Sequence, residues 1–259
     1  MLVATFNCNS VRQRMGVILE WLEANRPDCL ALQETKVADA QFPAVDFASA
    51  GWKVAFRGEK SYNGVAMITR VEPESVSFGL GDGDGGASET RLAHIRLGGV
   101  DIVNTYVPQG RALDSPSFAE KLAWLERLRA YLAARIDLET GDALWVGDLN
   151  VAPAPIDVYD HDKIWPHVAH CQEVVDAFDR VTGLGFVDVV RKHLPGEGVF
   201  TFWDYRMPWA VKANQGWRID HVWATPRLAA RSAECRIDVE PRTREKPSDH
   251  TFVAARFEL

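Results

Sequence analysis

Cysteine is scarce in this 259-residue chain. There are four, Cys8, Cys29, Cys171 and Cys235, with no CxxC pair and no regular spacing. That usage excludes a disulfide framework or zinc fingers and suits reduced thiols in a cytoplasm. No run of about eighteen apolar residues occurs, so no segment reads as a membrane span. The opening MLVATFNCNS lacks a charged n-region and a long h-region, and reads as a first strand rather than a signal peptide. Linkers are missing too. The nearest candidate, GLGDGDGGASE from Gly79 to Glu89, is short, lies between strand-like runs and reads as a mobile surface loop. A single domain over 1–259, monomeric, is the expectation. Basic excess is also absent, the net charge being −7. From position 201 onward ten Lys/Arg face eight Asp/Glu, whereas the first 200 residues hold 19 against 28. Salt-driven clinging to nucleic acid is therefore expected to be modest, and any such recognition local and shape-based.

What is present is a dense set of apolar runs. With 47% hydrophobic and 25% charged residues, the composition is that of an ordinary globular protein. Strand-like segments fall at 2–6, 29–33, 53–56, 64–69, 91–97, 100–107, 143–147, 186–190, 218–224 and 251–257. Helical spacing appears over 11–25 (Met15, Ile18, Leu19, Leu22), 116–136 (Phe118, Leu122, Leu125, Leu132) and 172–182 (Val174, Val175, Phe178, Val181). The second opens with Ser115, Pro116 and a capping-box pair, Ser117 and Glu120. Many strands with a few helices predict a mixed α/β protein, its sheets covered by helices.

The strand ends carry the chemistry. MLVATF is followed by Asn7, CLALQ by Glu34, DIVNT by Tyr106, and ALWVG by Asp148 and, two residues on, Asn150. GWRI runs into Asp220, and the last run is preceded by Asp249 and His250. Strand termini on a rigid sheet hold convergent groups accurately. The inventory is carboxylates, amides, a phenol and an imidazole, with no nucleophilic Ser or Cys motif, and it suits phosphate-ester hydrolysis. Hard oxygen ligands without thiolates point to Mg²⁺ or Mn²⁺ rather than Zn²⁺. In that chemistry Glu34 holds the metal, Asp148 takes a proton from water and Asn150 orients it. His250 donates to the phosphate with its tautomer fixed by Asp220, and Tyr106 donates a further hydrogen bond.

FNCNSVR, ALQETK, YVPQG, GDLN, FTFWDYR, GWRIDHVW and KPSDH stand in an order and approximate spacing that resembles the exonuclease III family of abasic-site endonucleases, within the endonuclease/exonuclease/phosphatase superfamily. The resemblance runs from Asn7 to His250. It implies a four-layered α/β sandwich, two packed sheets flanked by helices. It also implies a Mg²⁺-dependent DNA repair nuclease that incises 5′ to abasic sites and works 3′-to-5′ on duplex ends. Its partner would be duplex DNA with abasic sites or damaged 3′ ends, without a membrane, in a cytoplasm of bacterial type where the substrate is the nucleoid. Carried across, Asn7, Glu34 and Asp249 match the metal region, and Tyr106 and Gln109 the phosphate-contacting segment. Asp148 and Asn150 match the water-activating pair, Asp220 and His250 the carboxylate–imidazole pair. Phe202, Trp203 and Trp217 match aromatics that form a pocket for a flipped-out abasic sugar. Arg206, Met207 and Trp209 lie in a loop placed to wedge into the groove, and Arg111 stands where a DNA-contacting arginine is expected. Asn9 stands where animal members carry Asp, removing one potential carboxylate ligand. The segments 79–88 and 152–170 match no signature. Alternatives are another superfamily phosphatase or RNase, and an inactive relative that only binds.

Overall fold

The computed structural model describes residues 1–84, 86, 88–207 and 209–259. In chain order the strands are β1 (Leu2–Asn7), β2 (Cys29–Gln33), β3 (Lys53–Arg57), β4 (Val65–Thr69), β5 (Ser75–Phe78) and β6 (Leu92–Leu97). They continue with β7 (Val100–Tyr106), β8 (Ala143–Asp148), β9 (Val187–Asp188), β10 (Asp220–Ala224), β11 (Ser232–Asp238) and β12 (Phe252–Phe257). The helices are α1 (Val11–Asn25), α2 (Ala44–Ser49), α3 (Pro116–Arg135), α4 (His161–Ile164), α5 (Gln172–Thr182), α6 (Val189–His193) and α7 (Pro226–Ala230). The strands form two mixed sheets, ordered β11-β12-β1-β2-β4-β3 and β5-β6-β7-β8-β10-β9.

The apolar runs lack alternation because the central strands are covered on both faces. Val3 of β1 enters the core shared by the two sheets, with Ala31, Met67, Ile102, Val146 and Val253. Leu2, Ala4 and Phe6 face the other way, onto Ile18, Trp21 and Leu22 of α1. On the opposite side Val103 and Trp145 lie under Leu125, Leu128 and Leu132 of α3 and Phe178 of α5. Each such buried aliphatic contributes roughly 1.5–3 kcal/mol. The layers are thus helix, sheet, sheet, helix, the sandwich that the resemblance implies. No helix among the described residues is long and apolar enough to cross a membrane.

Several expectations are corrected. β5 and β11 are strands that the apolar pattern misses. Both are edge strands held by ladder hydrogen bonds with largely exposed or half-buried side chains, so their sequences need little apolar content. The expected strand 186–190 is two residues long and turns into α6, where the Asp188 side chain accepts from the Arg191 N–H. Helix α3 is capped by Ser115, whose hydroxyl accepts from the Phe118 N–H. Pro116 fixes the helix start there, so Ser117 and Glu120 form no capping box. On α1, Met15 and Leu19 pack half-buried against the core as expected, and Arg14 and Trp21 are buried as well. In the glycine-rich stretch 79–88, Arg127 of α3 ties down Asp82 and Asp84, each at 2.6 Å; its Gly85 and Ala87 lie outside the described residues.

Register brings the polar strand ends together. β1 and β2 are parallel, with Asn7 opposite Gln33. β7 and β8 are parallel, with Tyr106 opposite Asp148, and antiparallel β10 sets Asp220 against Asp148. β12 is antiparallel to β1, so the segment before it arrives at the same edge. At Gly147 φ is +134°, and a side-chain carbon would collide with the Thr105 carbonyl. Only glycine lets β8 lie this close to β7 immediately before Asp148.

Candidate active site

The Asn7 amide ties the two sheets together at the site. The Asn7 Nδ2 group donates to Glu34 Oε1 at 2.9 Å and to Asp148 Oδ2 at 2.7 Å. Its Oδ1 accepts from the Asn9 N–H at 3.0 Å. The Ser248 hydroxyl donates to the Asn7 carbonyl at 2.7 Å, pinning the segment that carries Asp249 and His250. Glu34 Oε2 meets Lys36 Nζ at 2.6 Å, and Lys36 Nζ also donates to Asn9 Oδ1 at 2.6 Å. The Asn9 amide in turn donates to Asp249 Oδ1 at 3.0 Å. Burial works to raise the Glu34 pKa, but Lys36 and the Asn7 hydrogen bond outweigh it and keep Glu34 below the usual carboxylate range, hence ionised. Asn9, Glu34, Lys36 and Asn150 all have positive φ between 44° and 51°. Non-glycine residues at such angles cost of order 1–3 kcal/mol each, and here they cluster where side chains must be aimed.

The second half is a buried row. His250 Nδ1 lies 2.8 Å from Asp220 Oδ2 and its Nε2 3.7 Å from Asp148 Oδ2. Burial alone would lower the His250 pKa, but Asp220 and Asp148 drive it up, to about 10. The ring is therefore an imidazolium with its Nδ1–H committed to Asp220. Asp148 is pushed up to about 7 by burial, with Asp220 and Glu34 adding to the rise and His250 opposing it. The Asn150 N–H donates to Asp148 Oδ1 at 3.0 Å, while its side-chain amide turns to the Val107 carbonyl at 3.0 Å. Backbone rather than side chain thus orients the carboxylate.

Around this row Tyr106 is half-buried, its ring beneath the Arg91 guanidinium at 5.0 Å. Burial, Glu34 and Asp148 hold its pKa well above the usual phenol value, so it stays a donor. Phe202 and Trp217 pair across an isolated bridge, and the Phe202 ring lies 4.9 Å from that of His250. His167 meets Trp217 edge-on at 4.7 Å. Gln109 and Arg111 are exposed at the rim, the Gln109 side chain accepting from the Arg111 N–H at 2.7 Å.

One expectation changes. Trp203 is 2% exposed, packed with Phe200 and Ala210, and donates to Asn214 at 3.2 Å. It braces the loop from inside and does not face a sugar. Arg206 is exposed and engaged by neighbouring Asp204 at 2.5 Å. Asn7 spends its amide N–H groups on two carboxylates, so it bridges them. Residues that sequence reasoning missed are Lys36, Arg91 and His167. Lys36 stands in the quoted ALQETK, but the other two meet the site only through tertiary contacts that no local pattern signals.

The donor set fits a hard divalent cation at Glu34. Its carboxylate is ionised, and Glu34 and Asn9 oxygens already converge on a positive charge, that of Lys36. Asp249 reaches the same place through Asn9. Asp148, Asp220 and His250 also present ligand-type atoms within 4.8 Å of one another. The imidazolium makes that trio a hydrogen-bonding relay, and the Glu34 side the better cation seat. An ionised oxygen cluster beside a carboxylate of raised pKa and a buried imidazolium is the inventory that metal-assisted phosphoester hydrolysis requires.

Known proteins agree. The sequence profile described as the endonuclease/exonuclease/phosphatase family matches residues 4–250, and the chain belongs to that family. The exodeoxyribonuclease III of Haemophilus influenzae is 31% identical over 264 residues, covering 98% of both chains. Among solved structures, an AP endonuclease from Archaeoglobus fulgidus is 46% identical with TM-score 0.97, covering 100% of both chains. A Neisseria 3′ phosphatase bound to a product DNA hairpin is 35% identical with TM-score 0.94, again covering 100% of both.

Proposed function

We propose that this centre hydrolyses DNA phosphodiesters beside abasic sites and at 3′ ends, with Mg²⁺, or Mn²⁺ in its stead, seated at Glu34 and Asp249. Membership of the family, with exodeoxyribonuclease III and AP endonuclease as relatives, makes the chain a phosphodiester-hydrolysing DNA repair nuclease. The observation that carries the mechanism is the Asn7 amide joining Glu34 and Asp148, with His250 held beside them by Asp220. When bound, the cation neutralises the phosphate and stabilises the departing oxygen. Asp148, whose proton affinity is raised, takes a proton from water as the water oxygen bonds to phosphorus and the phosphorus–oxygen bond to the leaving sugar breaks. The His250 imidazolium donates from Nε2 to a non-bridging oxygen, and the Tyr106 hydroxyl donates a second bond. Phe202 and Trp217 bound a space for a baseless sugar, smaller and less polar than a nucleotide. Duplex DNA with abasic sites or damaged 3′ ends is the partner. Four buried free thiols are consistent with a cytoplasmic setting.

The test is one assay with two duplexes, one carrying a tetrahydrofuran abasic analogue and one a recessed 3′ end, each with Mg²⁺ and with EDTA. Metal-dependent cutting of at least one is expected. Cutting of neither contradicts the nuclease reading, and the product ratio reads the balance between incision and resection.

A further inference from the structure

Lys121 of α3 is fully buried, and the described residues give it no carboxylate partner. Its ammonium donates to three backbone carbonyls: Asn150 at 2.7 Å, Val168 at 2.7 Å and Gln109 at 3.3 Å. Three N–H donors thus meet three acceptors, which is how an ammonium escapes the cost of burial without a counter-ion. The acceptors belong to three segments far apart in sequence. Gln109 ends the segment that begins at Tyr106. Asn150 follows Asp148, with its own amide reaching back to Val107. Val168 adjoins His167, whose ring rests on Trp217. The backbone at Gly110 has φ +96°, and a side-chain carbon there would stand 3.2 Å from Lys121 Cδ, so the first segment is pressed onto the lysine stem. Burial pushes the Lys121 pKa down to about 7, with Asp148 and Cys171 opposing that shift. His167 faces it from the third segment.

We propose that Lys121 is a positioning residue, its ammonium clamping the phosphate-facing, water-activating and sugar-backing segments into one unit rooted in α3. Its kinetic consequence rests on the nuclease reading above; the clamp itself does not. A buried water could satisfy the same carbonyls, but only a covalently tethered donor fixes them to a helix. Loss of the clamp lets the segments shift independently, and misplacement of about 1 Å in such a site costs ~10²-fold in rate.

Lys121→Met and Lys121→Arg are compared with the unaltered protein in two measurements. One is amide hydrogen exchange at 107–111, 149–152 and 167–170; the other is kcat and KM on the abasic-analogue duplex. In the methionine variant all three segments are expected to exchange faster together, and kcat to fall ~10²-fold with KM changed less than about threefold. Arginine is expected to recover at least about tenfold of the lost rate, because the charge and donors return. Unchanged exchange in the three segments, or a methionine variant within about threefold of the unaltered kcat, overturns the proposal. Should methionine prevent folding, Lys121→Gln keeps two donors and is expected to show a milder form of both effects; unaltered exchange and rate there overturn it equally. If the unaltered protein cuts neither duplex, the nuclease reading falls while exchange still decides the clamp.

Discussion

The strand-end cluster and the loops around it are built on different terms. Asn7, Asp148, Asp220 and His250 are buried, sit at or beside strand ends, and hold partners from other elements within about 3 Å, as hydrogen-bonded groups do. The loop around 203–215 exposes Tyr205 by 57% and Trp209 by 58%, and its Arg206 is engaged by Asp204, two residues away. Between them the segment 152–170 acts as a buttress. Its Asp157 is buried against Arg218 at 2.6 Å, and its His167 supports Trp217. Bond-breaking groups are fixed by the sheets, whereas groups that select a substrate sit on loops that need bracing.

That contrast can be broken or sharpened by substitution. The largest effect is expected at the strand ends: Asp148→Asn and His250→Ala should each lower single-turnover cleavage of the abasic duplex by ~10³-fold or more, and Asp148→Asn should do so without shifting melting by more than a few degrees. Next comes the buttress. Arg218 also meets Asp188 at 2.8 Å, and Arg218→Met leaves the buried Asp157 and the half-buried Asp188 each short of a partner. Denaturant unfolding should show a loss of about 3 kcal/mol. At the rim, Trp217→Ala should cost ~10- to 100-fold in preference for the abasic duplex over the intact end, with less effect on the intact end itself. Unchanged preference would remove Trp217 from the sugar pocket.

A separate effect is expected in acid. His221 is buried, with Arg218 beside it, and is held down at about 3. Its folded pKa lies below the unfolded value, so the unfolded chain binds the proton first. Stability is then complete above about pH 6.5 and lost as pH falls toward 3, by up to about 1.4 kcal/mol per unit. His221→Gln should flatten that slope in melting curves taken from pH 7 to 4.

The strand-end half of the site was legible because each run breaks at the residue that does chemistry, and parallel and antiparallel pairing brings those breaks to one edge. Helix-covered sheets were legible in the many apolar runs and few helices, whereas the packing of two sheets came from the family resemblance. Edge strands β5 and β11 were not, since ladder pairing rather than composition defines them. Trp203 and Trp217 look alike in sequence, and only packing shows that one braces a loop from beneath while the other stands at the rim. Lys36 sits in a quoted motif, yet its bond to Asn9 depends on two strands meeting. His167 and Lys121 act across segments whose approach no periodicity encodes.

The most direct measurement is a double-mutant cycle on Asp148→Asn and His250→Ala, read as single-turnover cleavage of the abasic duplex in Mg²⁺. If the two groups work as one relay on one phosphate, the double variant should be no more than about tenfold slower than the poorer single variant. Losses that multiply, to ~10⁶-fold, would mean that the groups act independently and would contradict the convergent centre.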